Sequence, residues 1–268
     1  MTSSHIVSTL RAAGCVFAED EARLLTDAAA DPGELADLVA RRAAGLPLEH
    51  VLGWASFCGL RVAIDPGVFV PRRRTELLAW QAIKLAGPGA VVVDLCCGSG
   101  AVAAAVGATV PDAELHAADI DPDAVRCARR NVPGGQVHEG DLYDPLPPDL
   151  RGRVDVLVAN APYVPTDAIG LMPPEARLHE PRVALDGGVD GLDVLRRVIV
   201  GAREWLAPGG HLLVETSEAQ APVLLETAGF AGLRPRVARD TGLGATIVIA
   251  LAPRSRFNSS PEPREFAQ

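Results

Sequence analysis

Apolar residues recur along this chain with two different periods. From His5 to about Ala44 they return every three or four positions, at Ile6, Leu10 and Ala13, then Leu24 and Leu25, then Leu35, Leu38 and Val39. That spacing gathers them on one face of each of several short helices. Asp31-Pro32 is a start signal for the last of these, with the aspartate as N-cap, proline at the first helical position and Glu34 at the third. Further on, short β-branched runs alternate with helical stretches: helix 77–85, strand 91–95, helix 101–109, strand 114–119, helix 122–131, strand 135–141 and strand 154–160. After a long Pro-rich loop come helix 191–206, strand 211–216, helix 218–228, and strands 233–239 and 246–251. Such alternation predicts an α/β unit with a parallel sheet and right-handed crossovers, whose ligands gather at the carboxyl ends of the strands. Asp94, Asp119, Asp141 and Asn160 fall at those ends.

Between the two regimes, residues 45–76 carry Gly53-Trp54, Phe57 to Leu60 and an alternating Leu60-Arg61-Val62-Ala63-Ile64, the pattern of a hairpin strand packed between two units. The division expected is a helical module at 1–44, a hairpin and linker at 45–76, an α/β domain at 77–252, and a disordered tail rich in Pro, Ser and charge at 253–268. Arg72-Arg73-Arg74, a short charge run, is expected to be a solvated corner.

Composition narrows the functional classes. With 48% apolar and 22% charged residues the 268-residue chain is globular. A formal charge of −9 opposes a broad nucleic-acid footprint, which needs clustered Lys and Arg, so no DNA is expected as a partner. The five cysteines are odd in number, scattered and without zinc spacing, as in a reduced, cytoplasmic protein; adjacent Cys96 and Cys97 are expected to pack rather than to do redox chemistry. The most apolar window, Ala90 to Val110, is interrupted by Asp94 and Gly98-Ser99-Gly100, so it is expected to be a buried strand and helix and not a membrane span.

The chemistry concentrates at two places. Val91 to Leu95 runs into Cys96-Cys97-Gly98-Ser99-Gly100, a strand, a glycine turn and a helix start. There the glycines admit positive φ and a ligand's close approach, and the helix offers unpaired N–H groups. Gly98-x-Gly100-x-x-Ala103 also fits the dinucleotide fingerprint, and Asp119 stands where such folds place an acid on ribose hydroxyls. NAD and S-adenosylmethionine both fit that much. The second place follows the fourth strand: Asn160-Ala161-Pro162-Tyr163 resembles the Asn-Pro-Pro-Tyr signature of methyltransferases that alkylate amide or exocyclic amine nitrogens. Such a nitrogen has a delocalised lone pair, so it reacts only when its N–H groups are held by acceptors and the lone pair is aimed at the methyl group. The Asn160 side-chain carbonyl and the Ala161 backbone carbonyl would be those acceptors, with Pro162 restraining Ala161 toward extended geometry and the Tyr163 ring sandwiching the planar group.

The wider pattern is similar to the HemK-like family of protein-(glutamine-N5) methyltransferases. The resemblance spans about Arg41 to Ala250 and is carried by Gly45-Leu46-Pro47-Leu48, Gly53-Trp54 to Leu60, Val70-Pro71-Arg72 with Thr75-Glu76, the glycine turn, and Ala118 to Pro122. It continues through Gly140 to Tyr143, Asn160 to Tyr163, Glu180-Pro181 with Ala184-Leu185, Gly187-Gly188 through Asp190-Gly191, and Pro208-Gly209-Gly210. It implies a Rossmann-like class I methyltransferase sheet with a small N-terminal helical domain and a connecting β-hairpin. The implied reaction is methyl transfer from S-adenosylmethionine to a glutamine side chain, on a peptide-chain release factor whose glutamine loop enters the cleft while the helical domain helps hold it. Under that resemblance Asp119 holds the ribose, Gly98 and Gly100 admit the methionine end, and Asp94 orients the turn or the amino group. Asp141 and Leu142 border the adenine, Cys96, Ile120 and Asn160 complete the cofactor set, and no metal is needed. The sequence departs from the family at Ala161 (usually Pro), Cys96-Cys97 (a Gly/Thr pair), Arg73-Arg74 (Pro-Asp) and Ser217 (Gly), as in a divergent paralogue. Two other readings share these residues: an adenine-N6 nucleic-acid methyltransferase, which would grip a flipped base the same way, and a non-catalytic S-adenosylmethionine-binding protein.

Overall fold

A computed structural model describes residues 2–254. Three helices come first, α1 (Ser3–Ala12), α2 (Ala18–Ala28) and α3 (Pro32–Ala43), then a short α4 (Leu48–Leu52). Asp31 caps α3 by accepting from the Gly33 and Glu34 amides, with Pro32 in the first turn. Ile6, Leu10, Ala22, Leu25, Leu38 and Val39 bury against Val51 in a core of their own, whereas Ala13 lies past the end of α1 and is exposed.

The hairpin is β1 (Trp54–Phe57) and β2 (Leu60–Ala63), antiparallel, turned at Cys58-Gly59. Both turn residues have positive φ, 48° and 77°, which is the backbone twist a two-residue hairpin requires. Its Phe57 and Val62 are fully buried against the large domain.

The rest alternates as α5 (Glu76–Leu85), β3 (Val91–Leu95), α6 (Ala101–Thr109), β4 (Glu114–Asp119), α7 (Pro122–Asn131), β5 (Gln136–Glu139) and β6 (Val154–Ala159). There follow α8 (Pro174–His179), α9 (Asp193–Trp205), β7 (Leu206–Thr216), α10 (Ala221–Phe230), β8 (Arg234–Asp240) and β9 (Ala245–Leu251). The seven strands lie in the order β5-β4-β3-β6-β7-β9-β8. β5 through β7 are mutually parallel, but β9 runs antiparallel between β7 and β8. The sheet is thus mostly parallel, as expected, and departs from that only at this edge, because the connection from β8 to β9 is too short for a crossover and makes a hairpin. Polarity decides which of the two is outermost: Arg-rich β8, with Pro235, takes the edge, and apolar β9 is buried along its length.

The sheet buries two faces. Val92, Val156, Val158, Leu213, Ile247 and Ile249 pack under α5, α6 and the hairpin. Val93, Leu157, Leu212, Val214 and Val248 pack under α9 and α10. The Pro-rich stretch between β6 and α9 contains α8 and 3-10 turns at Thr166–Leu171 and Arg182–Ala184. No helix among the described residues is long and apolar enough to cross a membrane. Beyond residue 254, the expected tail lies outside the described residues.

Candidate active site

A cavity opens at the carboxyl ends of β3, β4 and β6. Asp94, Cys96, Gly98, Asp119, Ile120, Asp141, Leu142, Asn160 and Pro162 all line it. So do Phe69, Pro71, Thr75, Pro181, Val183, Ala184, Asp186, Val194 and Arg197, which come from segments remote in sequence.

The turn after β3 is built around two carboxylates. Asp94, 2% exposed, accepts from the Ala103 amide in the first turn of α6 (3.1 Å), and so fixes the helix start to the strand end. Its burial pushes the carboxyl up to about 7. Asp119 accepts from the Gly98 amide at 2.8 Å through one oxygen and from the Asp121 amide at 2.9 Å through the other. Burial raises this carboxyl too, against those backbone hydrogen bonds. Each oxygen keeps a lone pair for a further donor.

The two turn glycines have different jobs. At Gly98 (φ 54°) a Cβ would meet nothing closer than the Phe69 Cβ at 4.0 Å, so its absence keeps cavity space open. Gly100 (φ 75°) does not line the cavity; a Cβ there would press on Val132 Cγ2 at 3.0 Å and Ala128 Cβ at 3.1 Å. At this glycine the geometry shows a packing role, letting α6 start close against α7. Cys96 and Leu142 adopt φ of 54° and 50°, a left-handed conformation that side chains seldom take, and both line the cavity. Burial, reinforced by Asp119 and Asp94, drives the Cys96 and Cys97 thiols well above their ordinary range, so both stay protonated, and all five cysteines are unbridged. Asp141 is paired with Arg197 of α9 at 2.6 Å.

Asn160 and Glu215 each follow the last couple that pairs β6 with β7, Ala159 and Val214, so they are neighbours on one face of the sheet. Residues 72–76 reach over that face. Asn160 Nδ2 donates to Thr75 Oγ1 at 3.4 Å, which turns the side-chain carbonyl Oδ1 the other way, with no donor to it among the described residues. Arg74 Nε donates to Glu215 Oε1 and to the Tyr163 hydroxyl, both at 3.0 Å, and the Tyr163 hydroxyl donates to Glu215 Oε1 at 3.1 Å. Arg72 pairs with Glu180 at 2.5 Å. The arginine run is therefore exposed at Arg73 and Arg74 but is not merely a solvated corner, because two buried carboxylates pair with Arg72 and Arg74. Ala161, 1% exposed, and Tyr163 do not line the cavity with Asn160 and Pro162 but pack behind them.

The segment after Tyr163 needs glycines for close approach. Gly187 and Val164 bond backbone to backbone at 2.9 Å, and a Cβ on Gly191 would fall onto the Tyr163 carbonyl. Gly187 and Gly191 thus let this segment lie directly against the backbone that follows Pro162.

Residues 59–173 match the family model described as Methyltransferase small domain. The release factor glutamine methyltransferase of Geobacter sulfurreducens is 42% identical over 73% of this chain and 70% of its own length. That of Mycobacterium tuberculosis H37Rv is 38% identical over 87% of this chain and 81% of its own. The chain belongs to the release factor glutamine methyltransferase family. Among solved structures, a methyltransferase from Pyrococcus furiosus superposes with a TM-score of 0.55 at 17% identity, covering 81% of this chain and 99% of that one, which extends the likeness of fold beyond the family.

Seen as a member of this family, the chain's departures acquire local reasons. Cys96 occupies a left-handed position where the family's usual glycine is unstrained. Ser217, in place of glycine, hydrogen-bonds Gln220 Oε1 at 2.7 Å and receives the Gln220 amide at 3.2 Å, closing the turn into α10. Sequence reasoning missed Phe69, Val183 and Arg197 because their approach to the cavity is purely tertiary. For Arg72 a signal existed, in the acid Glu180 of a matching stretch, but no spacing links the two, and nothing in the sequence tied Arg74 to Glu215.

Proposed function

We propose that this protein transfers a methyl group from S-adenosylmethionine to the side-chain amide nitrogen of a glutamine presented on a loop of a peptide-chain release factor. The observation that carries this reading is the orientation of Asn160, whose amide N–H is spent on Thr75 and whose carbonyl is left to accept. The cavity's chemistry fits the cofactor: Asp94, Asp119 and Asp141 suit a cationic ligand bearing ribose hydroxyls, and Gly98 leaves a cradle that a Cβ would occupy. When bound, the cofactor supplies a sulfonium-activated methyl group.

The chain's own residues do the rest. Asp119 accepts from ribose hydroxyls with its remaining lone pairs, Asp94 holds the turn and faces the amino group, and Ile120 with Leu142 forms apolar walls for the base. Asn160 Oδ1 and the Ala161 carbonyl accept the two N–H groups of the target amide, which become stronger donors as the nitrogen gains positive charge in the transition state. Pro162 and Tyr163 stiffen that turn.

The division into a helical module (1–44), a linking hairpin (45–76) and a catalytic domain (77–252) is part of this reading. The separate core of α1–α3 supports it, and the module would dock the protein target. Arg42 of α3 gives the docking a route to the site: it is buried, pairs with Glu21 at 2.6 Å, and reaches Glu175 of α8 at 2.8 Å. A net charge of −9 favours a protein over a nucleic acid as partner, and unbridged cysteines suit a cytoplasmic setting.

Asn160→Ala tests the reading. Turnover on a release factor should fall roughly a hundred- to a thousandfold, the scale of losing one preorganised electrostatic partner. Calorimetric S-adenosylmethionine affinity should stay within about threefold. Near-normal methylation of the mapped glutamine by this variant would remove the amide clamp from the account.

A further inference from the structure

Glu215 is 1% exposed, and its Oε2 is a buried oxygen without a hydrogen-bond partner in the described structure. A buried charge left half satisfied is destabilising, and the same face of the sheet offers Leu213, Ile247 and Ile249 as an apolar alternative environment. What the carboxylate does accomplish is done by Oε1, which accepts from Arg74 Nε and from the Tyr163 hydroxyl. At the other end of Tyr163, the backbone carbonyl accepts from Gln220 Nε2 at 2.9 Å, and the Arg74 guanidinium lies 5.9 Å from the ring centroid. The tyrosine is thus fixed by its hydroxyl, its carbonyl and one face.

We infer that Glu215, with Arg74, is a positioning residue for methyl transfer: it anchors the Tyr163 hydroxyl, and the anchored ring holds the Asn160-Ala161-Pro162 turn in the geometry that grips the target amide. This rests on the amide-clamp reading above and adds to it a group that does not touch the substrate. Burial, with help from Glu215, pushes the Tyr163 phenol up to about 12, so it remains a donor at every working pH. A side chain that acts only through orientation affects turnover much more than ground-state binding, because a misaimed lone pair lowers the fraction of productive complexes.

The experiment is a double-mutant cycle on the full chain with a release factor as substrate. Glu215→Leu should lower kcat roughly ten- to a hundredfold with KM and S-adenosylmethionine affinity within about threefold. Tyr163→Phe, which removes the anchored hydroxyl, should cost a similar factor, and the double variant should be no worse than either single one. Glu215→Gln keeps an acceptor and should recover most of the activity. With only two tyrosines in the chain, ring NMR on labelled tyrosine separates Tyr163 from Tyr143. Glu215→Leu should speed Tyr163 ring flipping and leave Tyr143 as it was, a change that mere loss of stability does not produce. Should Glu215→Leu fail to fold, the cycle is run with Glu215→Gln, which should then show a smaller loss that again vanishes in the Tyr163→Phe background. Additive losses, or normal kcat with an unchanged Tyr163 ring in Glu215→Leu, overturn the inference. Asn160→Ala run alongside separates the two failures: if it is inactive while Glu215→Leu is normal, only the positioning role falls.

Discussion

Gly98 and Gly100 sit two residues apart in the same turn with φ of 54° and 75°, yet alanine at each should damage a different property. Both substitutions force a left-handed conformation on a residue with a Cβ, which costs about 1–2 kcal/mol. At Gly100 the new methyl also presses on Val132 Cγ2 at 3.0 Å, Ala128 Cβ at 3.1 Å and the Ala128 Cα at 3.3 Å, and the last of these is backbone that cannot rotate away. Overpacking of that kind adds roughly 1–3 kcal/mol. Gly100→Ala should therefore lose about 2–5 kcal/mol, a fall in Tm on the order of 5–15 °C for a chain of this size. At Gly98 the methyl enters open cavity, so only the backbone cost reaches stability, a fall of about 2–6 °C. The cost of Gly98→Ala appears instead in ligand binding, where a methyl in the cradle should weaken S-adenosylmethionine by roughly ten- to a hundredfold. Thermal melts of both variants, with calorimetric titration of the cofactor, decide the matter. If Gly98→Ala binds as tightly as the parent, or if the two variants melt together, the assignment of one glycine to the ligand and the other to helix packing is wrong.

Removing the Asp119 carboxylate by Asp119→Ala should weaken cofactor binding about ten- to a hundredfold in calorimetry, the loss of roughly 1.5–3 kcal/mol from unpaired ribose hydroxyls and a loosened Gly98 amide. Asp94, with its carboxyl at about 7, should make binding pH-dependent. A cationic ligand prefers the ionised acid, so affinity should rise from pH 6 to pH 8 with proton release on binding, visible as a buffer-dependent calorimetric enthalpy that Asp94→Asn abolishes. The same raised pKa acts oppositely on stability: the protonated folded form gives a contribution fully present below the unfolded value near 3.8 and lost as pH rises through about 7, so Asp94→Asn should flatten that decline in chemical denaturation.

Local order was legible wherever the local pattern dominates. β3, β4, α6 and α7 fall on the predicted residues because an unbroken apolar run, a glycine turn or an Asp-Pro cap each marks an end. Strand direction at the far edge was not legible, since periodicity says nothing of orientation and β9 is ordered by the short turn before it. The left-handed backbone at Cys96 carries no mark in a residue that usually avoids it. For the candidate site, the strand-end residues Asp94, Asp119, Asp141 and Asn160 could be named because topology alone brings strand ends together. Gly100 follows the same motif but packs against α7, and the Ala161 and Tyr163 side chains pack into the core beside β6 and β7, which spacing along the chain cannot reveal. The opposite wall, Pro181 to Ala184, reaches the cavity through the Arg72–Glu180 pair, a contact between residues 108 positions apart.

That pair belongs to a segment on which the whole arrangement turns. Within five residues, Arg72 holds Glu180, Arg74 holds Glu215 and Tyr163, Thr75 holds Asn160, and Glu76 accepts from the Cys58 amide of the hairpin. Each contact joins a different element, so the hairpin, the sheet ends and the loop behind the cavity are referenced to one stretch of backbone at the entrance to α5. Arginine at position 74, where the family usually carries aspartate, changes the electrostatics of this stretch without loosening it. An aspartate there would set a second carboxylate against a buried Glu215, and two like charges in a dry site drive one of them to hold a proton. With arginine the acid has a cation, the tyrosine hydroxyl has an acceptor, and the neighbouring Thr75 contact that aims Asn160 stays in place. The departure at 74 therefore bears on how the tyrosine is held and, through the tyrosine, on the turn that would grip the target amide.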